Sequence, residues 1–433
     1  MPPRKRLDSL SLYTLYYMAV VIISTVLVVY VARIQGFARI PYINGMIYAS
    51  LGLGALFYLF TRKRVINAPR GALITALAAL PVLCSTIIGI FNQNSIIYII
   101  SWTIYTYVGA LLFFTSYTDR SSDEDSRSIL TSPWLYIFAC TLSIVSSISP
   151  EPLLPYPLMA AIFIFGASQN GSNTNRLASL LGLVFLHLDL TSFTPKLAMS
   201  RASLLSLVAA IGVVLLYRRR YGILLGLITC IFLAYVAAVT VDASALKPLP
   251  RNLREGAMLL RGARLEDNIA TFQRFYEVEM VKRDFEGATV AEVVFGKGLG
   301  RTIDMSGSLD ASVGNNALQG MRSVNNIHFL PVAVFHKYGL AGIFVIIFMI
   351  LYPAKSFIKD ALSGRIDDSA LYLYIYIFTA IVFSASASNY FIANPYLPLA
   401  IGALAAARRK LISANGYRLT RAHPSSRKAP LHA

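Results

Sequence analysis

Residues Phe295–Gly300 read FGKGLG, and residues Asn325–Pro353 read NNIHFLPVAVFHKYGLAGIFVIIFMILYP. A glycine-rich turn is thus followed, after a polar run, by a histidine-bearing stretch that becomes wholly apolar beyond Lys337. Residues 327–353 are long enough for the roughly 20 apolar residues that carry a helix across a bilayer. His328 is therefore expected where water gives way to lipid. Glycine lacks a Cβ and tolerates positive φ, so the backbone at Gly296, Gly298 and Gly300 can approach another group closely, an anion being one possible guest.

Working outward, the whole chain has the same character. Of its 433 residues 56% are hydrophobic and only 14% charged, with a mean hydropathy of +0.59, which excludes two or three soluble domains. The composition is that of an all-α, polytopic integral membrane protein. The formal charge of +18 is scattered between apolar spans rather than gathered on one soluble face, so it points to membrane topology and not to a nucleic-acid partner. Cys84, Cys140 and Cys230 lie inside apolar runs and offer neither a disulfide framework nor a CxxC metal site. Arg4, Lys5 and Arg6 precede the apolar run 10–32, which is too long for a cleaved signal sequence and reads as a retained first helix.

About twelve apolar spans follow one another: 10–32, 42–60, 71–91, 95–117, 133–149, 152–168, 176–190, 200–217, 222–241, 327–353, 371–393 and 395–407. With the amino terminus inside, the basic residues Arg62–Arg64 and Arg70, Arg218–Arg220, Lys355, Lys359 and Arg365, and Arg408–Lys410 all fall on the cytoplasmic side. Both termini are then cytoplasmic. The chain divides into helices 1–9 (1–241), one large outer segment (242–326), helices 10–12 (327–407) and a basic tail (408–433). Within the outer segment, 252–285 lacks proline and predicts one or two amphipathic helices, whereas 302–320 is rich in Gly, Ser and Asn and reads as a mobile loop. The tail beyond Gly416 is expected to be disordered. No internal repeat is evident, which disfavours transporter folds built on inverted repeats.

Several residues have side chains suited to chemistry. The His328 imidazole titrates near neutrality and can take a proton from a hydroxyl during attack. Its competing reading is a helix-start histidine bonded to Asn325 or to the membrane interface. His336 lies about 80° further round a helix, either a second site residue or the polar boundary beside Lys337. Arg201 opens the eighth span. There a guanidinium either snorkels to the interface or, through its fork, grips a phosphate. Arg274 sits among Phe272, Phe275 and Tyr276, a semi-apolar setting that favours an anion, while Arg283 has Glu279 four residues before it as an ion-pair partner. His187 and Asp189 at the end of the seventh span are lesser candidates. The outer segments carry no DxD or HExxH, so no metal and no cofactor is expected, and GKGLG lacks the spacing of a P-loop.

Three local patterns, taken in order, give a family likeness. Ser200-Arg201 opens an apolar span that ends in Arg218-Arg219-Arg220. FGxGxG stands late in the large outer segment at Phe295–Gly300, and His328 precedes Tyr338-Gly339-Leu340-Ala341-Gly342 by a helix-length gap. In these the chain resembles the superfamily of bacterial O-antigen polymerases and O-antigen ligases, mainly over 200–353. It departs from that pattern after the histidine, where Phe329 replaces the usual Asn and Asn325 and Asn326 come before it instead. The resemblance implies a metal-independent, inner-membrane glycosyltransferase with its large loop in the periplasm. It would join undecaprenyl-diphosphate-linked repeat units into O-antigen or exopolysaccharide, with a flippase and a chain-length regulator as partners. His328 would act as base, and Arg201 and Arg274 would hold the diphosphate. Arg283, Gly296, Gly298, Gly300, Asn325 and His336 would line the substrate site. A ligase acting on the same donor with lipid A core as acceptor is the near alternative, and a lipid-linked oligosaccharide transporter the alternative of another class.

Overall fold

The computed structural model describes residues 9–27, 40–62, 69–118, 129–148, 153–169, 172–190, 196–197, 200–240, 258, 269–304, 323–325, 327–364, 367–385, 391 and 393–421. They are mostly helical. Helices α1 (Ser9–Leu27), α2 (Ile40–Arg62), α3 (Pro69–Phe91), α4 (Ile96–Thr118), α5 (Pro133–Ser147), α6 (Tyr156–Ser168), α7 (Asn173–Leu186), α8 (Arg201–Tyr217) and α9 (Tyr221–Thr240) occupy the first nine apolar stretches. Segment 242–326 contributes α10 (Ile269–Asp284) and α11 (Val290–Phe295), and α12 (Leu330–Ser363), α13 (Asp368–Ala385) and α14 (Tyr396–Arg421) follow. Two short antiparallel ladders are present as well. β1 (Leu188–Asp189) pairs with β2 (Lys196–Leu197), and β3 (Ile303–Asp304) with β4 (Ser323–Val324).

Local chemistry sets the helix ends. Ser172 and Ser200 cap α7 and α8 by accepting from Asn175 N and Ser203 N, and Thr289 with Glu292 forms a capping box on α11. Gly364 ends α12 in the left-handed conformation. Two ends differ from the sequence reading. The tenth apolar stretch does not stop at Pro353 but stays helical to Ser363, because Ser356, Phe357 and Asp360 return to the buried face at helical spacing. Likewise α14 runs through Gly416 to Arg421, since one glycine costs a helix only about 1 kcal/mol. Most of the predicted 302–320 loop lies outside the described residues, though the β3–β4 ladder joins its flanks.

Helix α13 is the centre of the bundle. Every residue from Ala370 to Ile377 is buried, and α13 packs on α6, α8 and α14. Its tyrosines satisfy their hydroxyls inside: Tyr374 donates to Asp360 Oδ2 (2.6 Å) and Tyr376 to Asn394 Oδ1 (2.9 Å). Lipid tails are as apolar as leucine, so such close packing and interhelical hydrogen bonds, rather than water exclusion, hold helices together in a bilayer. By length and composition, four helices among the described residues can cross a membrane: Leu73–Phe91, Ile96–Thr118, Leu330–Ser363 and Asp368–Ala385.

Polar contacts gather at the two ends of α12. Near its carboxyl end Arg219 donates to the carbonyls of Ala361 and Leu362, Arg218 meets Asp368 (3.6 Å), and Arg408 meets Asp360 (3.1 Å). Around its amino end the α3–α4 turn, the outer-segment helices and the glycine-rich turn converge.

Candidate active site

The site is built on one face of α10. Glu277, Val281 and Asp284 follow at intervals of four and three, which stacks them on a single helical stripe. Val281 packs with Ile303, Ile327 and Ala333 into a small core of its own, and this seats the stripe against the start of α12. The two acids then each meet a histidine.

Glu277 is fully buried and both its oxygens are engaged by His328. The His328 backbone N–H donates to Oε2 (2.8 Å), and ring Nδ1 lies 2.7 Å from Oε1. An ionised carboxylate can only accept, so Nδ1 carries a proton toward Glu277, and in the neutral ring Nε2 is then the acceptor. The ring itself is 42% exposed against 0% for the acid. An exposed imidazole backed by a buried carboxylate is the arrangement of a general base held in one tautomer and one orientation.

Asp284 faces a different environment. His336, completely buried, donates through Nε2 to Oδ2 (3.0 Å), while Arg301 closes a fork on both oxygens, Nε to Oδ2 at 3.2 Å and an Nη to Oδ1 at 2.5 Å. Burial alone would raise the Asp284 carboxyl, but the hydrogen bonds from His336 and Arg301 outweigh it and hold the group well below the usual carboxylate range. The same bond raises the Arg301 guanidinium above its ordinary value. This cluster ties α10, the segment leading into β3 and α12 into one unit.

A third set of contacts fixes the loop that carries His328. Asn325 Oδ1 accepts from Trp102 Nε1 (2.6 Å), its Nδ2 donates to the Arg301 carbonyl (2.8 Å), and its own carbonyl accepts from Lys337 Nζ (2.6 Å). Lys337 is 1% exposed, and its ammonium also lies 4.7 Å from the centre of the Trp102 ring.

The glycines of the turn make the close approach expected of them, and the guest is the chain itself. A Cβ on Gly296 would stand 2.4 Å from the Lys337 carbonyl carbon, one on Gly298 2.4 Å from Gly89 N, and one on Gly300 2.6 Å from the Ser95 carbonyl oxygen. All three have positive φ. The amides of Lys297 and Leu299 donate to His336 O (2.9 Å) and Ser85 O (3.1 Å). Gly339, which breaks the regular helix of α12 at φ 61°, is pressed in turn against Gly296 and Val294. The close approach at this turn is thus a backbone-to-backbone clasp between FGKGLG and YGLAG.

The remaining expected residues fall as follows. Asn325 is a strut of the loop and not the partner of His328, because its amide is already bound on both sides. His336 is buried against Asp284 rather than exposed at a polar boundary. Arg283 pairs with Glu279 at 3.5 Å on the open surface, as the i,i+4 spacing predicts. Arg274 is half-buried, three residues before Glu277 on the same helix. Arg201 begins α8, but its side chain lies outside the described residues. His187 is bound to Tyr156 Oη (2.9 Å) and to the Leu183 carbonyl (2.8 Å), away from these clusters. Glu277, Asp284, Arg301, Trp102 and Lys337 are the functional candidates that the sequence reading passed over. The stripe 277, 281, 284 was the available signal.

An apolar groove of about 380 Å³ runs between α3, α4, α12 and α14, with Thr106, Tyr338, Gly342, Met349 and Asn394 among its walls. Tyr338 and Thr106, both in its wall, share a hydrogen bond (3.0 Å). No known family model matches the chain, and no curated protein or solved structure matches it.

Proposed function

We propose that the chain is a membrane-embedded polysaccharide polymerase of the O-antigen polymerase type, joining lipid-diphosphate-linked repeat units on the outer side of the bacterial inner membrane. The observation that carries this reading is the exposed His328 imidazole held at Nδ1 by the buried Glu277 carboxylate, in a chain that also has an apolar groove lined in part by the same helix α12. In the proposed reaction His328 Nε2 removes the proton from an acceptor sugar hydroxyl. The hydroxyl oxygen attacks the anomeric carbon of the donor glycan, and the bond to the undecaprenyl diphosphate breaks with its electrons on the leaving phosphate. Arg201 and Arg274 hold that diphosphate. The groove takes the hydrocarbon chain. Twelve spans, a periplasmic 242–326 segment and cytoplasmic termini complete the reading, supported by the alternation of basic loops and by their gathering at one end of α12.

The test is polymerisation of a purified lipid-diphosphate-linked repeat unit by the protein reconstituted in vesicles. Wild-type protein should yield a ladder of products and free lipid diphosphate, and His328→Ala should yield neither at comparable rates. Transfer of a single donor glycan to lipid A core with no ladder would assign the ligase activity instead. Movement of donor across the vesicle without bond formation would overturn the enzymatic reading.

A further inference from the structure

Four helix ends meet around the Tyr156 hydroxyl. Tyr156 opens α6, and its Oη donates to the carbonyl of Ser203 in the first turn of α8 (2.9 Å) while lying 2.9 Å from Nε2 of His187, which ends α7. The Tyr156 ring stacks on Phe383 near the end of α13, with ring centres 5.5 Å apart. The Leu183 carbonyl, 2.8 Å from His187 Nδ1, can only accept, so Nδ1 carries a hydrogen and Nε2 of the neutral ring is an acceptor. The single hydroxyl proton of Tyr156 is then shared between an acceptor on α7 and one on α8, a three-centre bond that joins the two helices.

This joint bears on Arg201, the first residue of α8. Ser200 caps the helix by accepting from Ser203 N (3.0 Å), and its hydroxyl meets the Ser203 hydroxyl at 2.7 Å, so Ser203 is held at its amide, its side chain and its carbonyl. The connection leading into α8 is pinned as well, by the β1–β2 ladder and by the Leu190 amide, which donates to Ser147 O (2.7 Å). In a regular helix the Ser203 carbonyl already serves the intrahelical ladder, so the Tyr156 bond relieves no orphan group and its effect is to fix the turn. A guanidinium fork that must meet a phosphate with two parallel bonds depends on where its Cα stands, and a misplacement of about 1 Å can cost about 10²-fold.

We infer that Tyr156 is a positioning residue for Arg201: its hydroxyl, steadied by His187, sets the first turn of α8 from which the guanidinium reaches the donor diphosphate. This rests on the proposed role of Arg201 in holding that diphosphate. The part of the donor sensed through Tyr156 is therefore the charged head and not the hydrocarbon chain.

The experiment titrates the full-length protein in vesicles with undecaprenyl diphosphate and, separately, with undecaprenol, which has the chain without the charge. It compares Tyr156→Phe, Phe383→Leu, Arg201→Ala and the double variant of Tyr156→Phe with Arg201→Ala. Tyr156→Phe keeps the ring and its stacking and removes only the shared proton. It should weaken diphosphate binding about three- to tenfold, the worth of one hydrogen bond, and leave undecaprenol binding unchanged. In the Arg201→Ala background it should weaken diphosphate binding no further, because the two residues act through one contact. Phe383→Leu disturbs the same ring without touching its hydroxyl, so it should lower the unfolding temperature and leave both affinities as in the wild type. Wild-type diphosphate affinity in Tyr156→Phe, beside a weakened Arg201→Ala, would overturn the positioning role alone. An equal loss for both ligands, or the same loss in the native and Arg201→Ala backgrounds, would overturn it too, since the effect would then be general or independent of the arginine. Wild-type diphosphate affinity in Arg201→Ala would instead remove the reading beneath it.

Discussion

Glu277 and Asp284 stand seven residues apart on one face of α10, and each holds a histidine of the segment opposite, His328 at 2.7 Å and His336 at 3.0 Å. The pairs differ in exposure. His328 is open to solvent and His336 is sealed, so in the proposed function similar pairs are assigned to reactivity in one place and cohesion in the other. Removing the first pair should therefore cost rate, and removing the second should cost stability.

For the exposed pair, His328→Ala should lower the polymerisation rate by about 10² to 10⁴, the usual contribution of general-base catalysis, at matched membrane expression. Glu277→Gln should fall between that variant and the wild type. Glutamine retains one acceptor oxygen for Nδ1–H but offers an amide donor where the His328 backbone N–H needs a second acceptor. Rates for both variants equal to the wild type would remove the dyad from the mechanism.

The sealed pair predicts a pH dependence of stability. Asp284 is held below the carboxylate value of the unfolded chain, so the stability it contributes is complete above that value, about 4, and is lost as pH falls toward the lowered folded-state value. Asp284→Asn should destabilise the protein by about 2–4 kcal/mol at pH 7, because His336 and Arg301 then lose an ionised partner. The gap between variant and wild type should narrow as pH is lowered below about 4. A gap that stays constant down to pH 2 would assign the effect to packing.

How far these features were legible depends on what each residue type reveals by itself. Apolar runs need no partner to be recognised, and each of the twelve expected stretches carries a helix. His328 stands out because a histidine before an apolar helix is rare. Glu277 does not: acids are expected on a polar helix, and only contact with α12 shows that this one is buried. Lysine is usually exposed, so nothing in the sequence marks Lys337 as a residue that tertiary packing encloses. The glycines signalled close approach but not the partner, which lies some forty residues downstream at Gly339 and some two hundred upstream at Gly89.

That clasp can be tested by contrast among glycines. Gly298→Ala and Gly339→Ala each add a Cβ within 2.6 Å of backbone at positive φ, so both should sharply reduce the amount of folded protein recovered from membranes. Gly222→Ala and Gly226→Ala in α9 meet nothing within 4 Å and should express as the wild type does, with helix propensity slightly improved. Normal recovery of Gly339→Ala would mean that the two motifs are not locked together in the membrane.

Arg201→Lys separates the two readings of that arginine. A guanidinium gripping a diphosphate forms charge-assisted bidentate bonds that the point charge of lysine cannot reproduce, so donor binding should weaken and turnover slow together. A snorkelling arginine would tolerate lysine, since either cation reaches the interface. Binding of the lipid-linked donor and ladder length, measured on the same vesicles, decide between them.

The proposed topology puts these sites on one side of the membrane. Asn94 on the α3–α4 turn donates to the Lys297 carbonyl (3.1 Å), which puts that turn with the glycine clasp and the His328 loop at the amino end of α12. Arg219 binds the carbonyls of Ala361 and Leu362 at the other end, joining the basic turn after α8 to the turn after α12. An α-helix rises about 1.5 Å per residue, so the 34 residues of α12 separate these two layers by more than the roughly 30 Å of a hydrocarbon core, even with the break at Gly339. Basic residues favour the cytoplasmic side, so the proposed topology has the Arg219 layer there and the His328 layer outside. Reporter fusions after residues 64, 219 and 365 should accordingly be active only as cytoplasmic reporters, and fusions after residues 93 and 307 only as external ones. A cytoplasmic signal at 307 would put His328 on the side where a periplasmic acceptor cannot reach it, and the polymerase reading would fall with it.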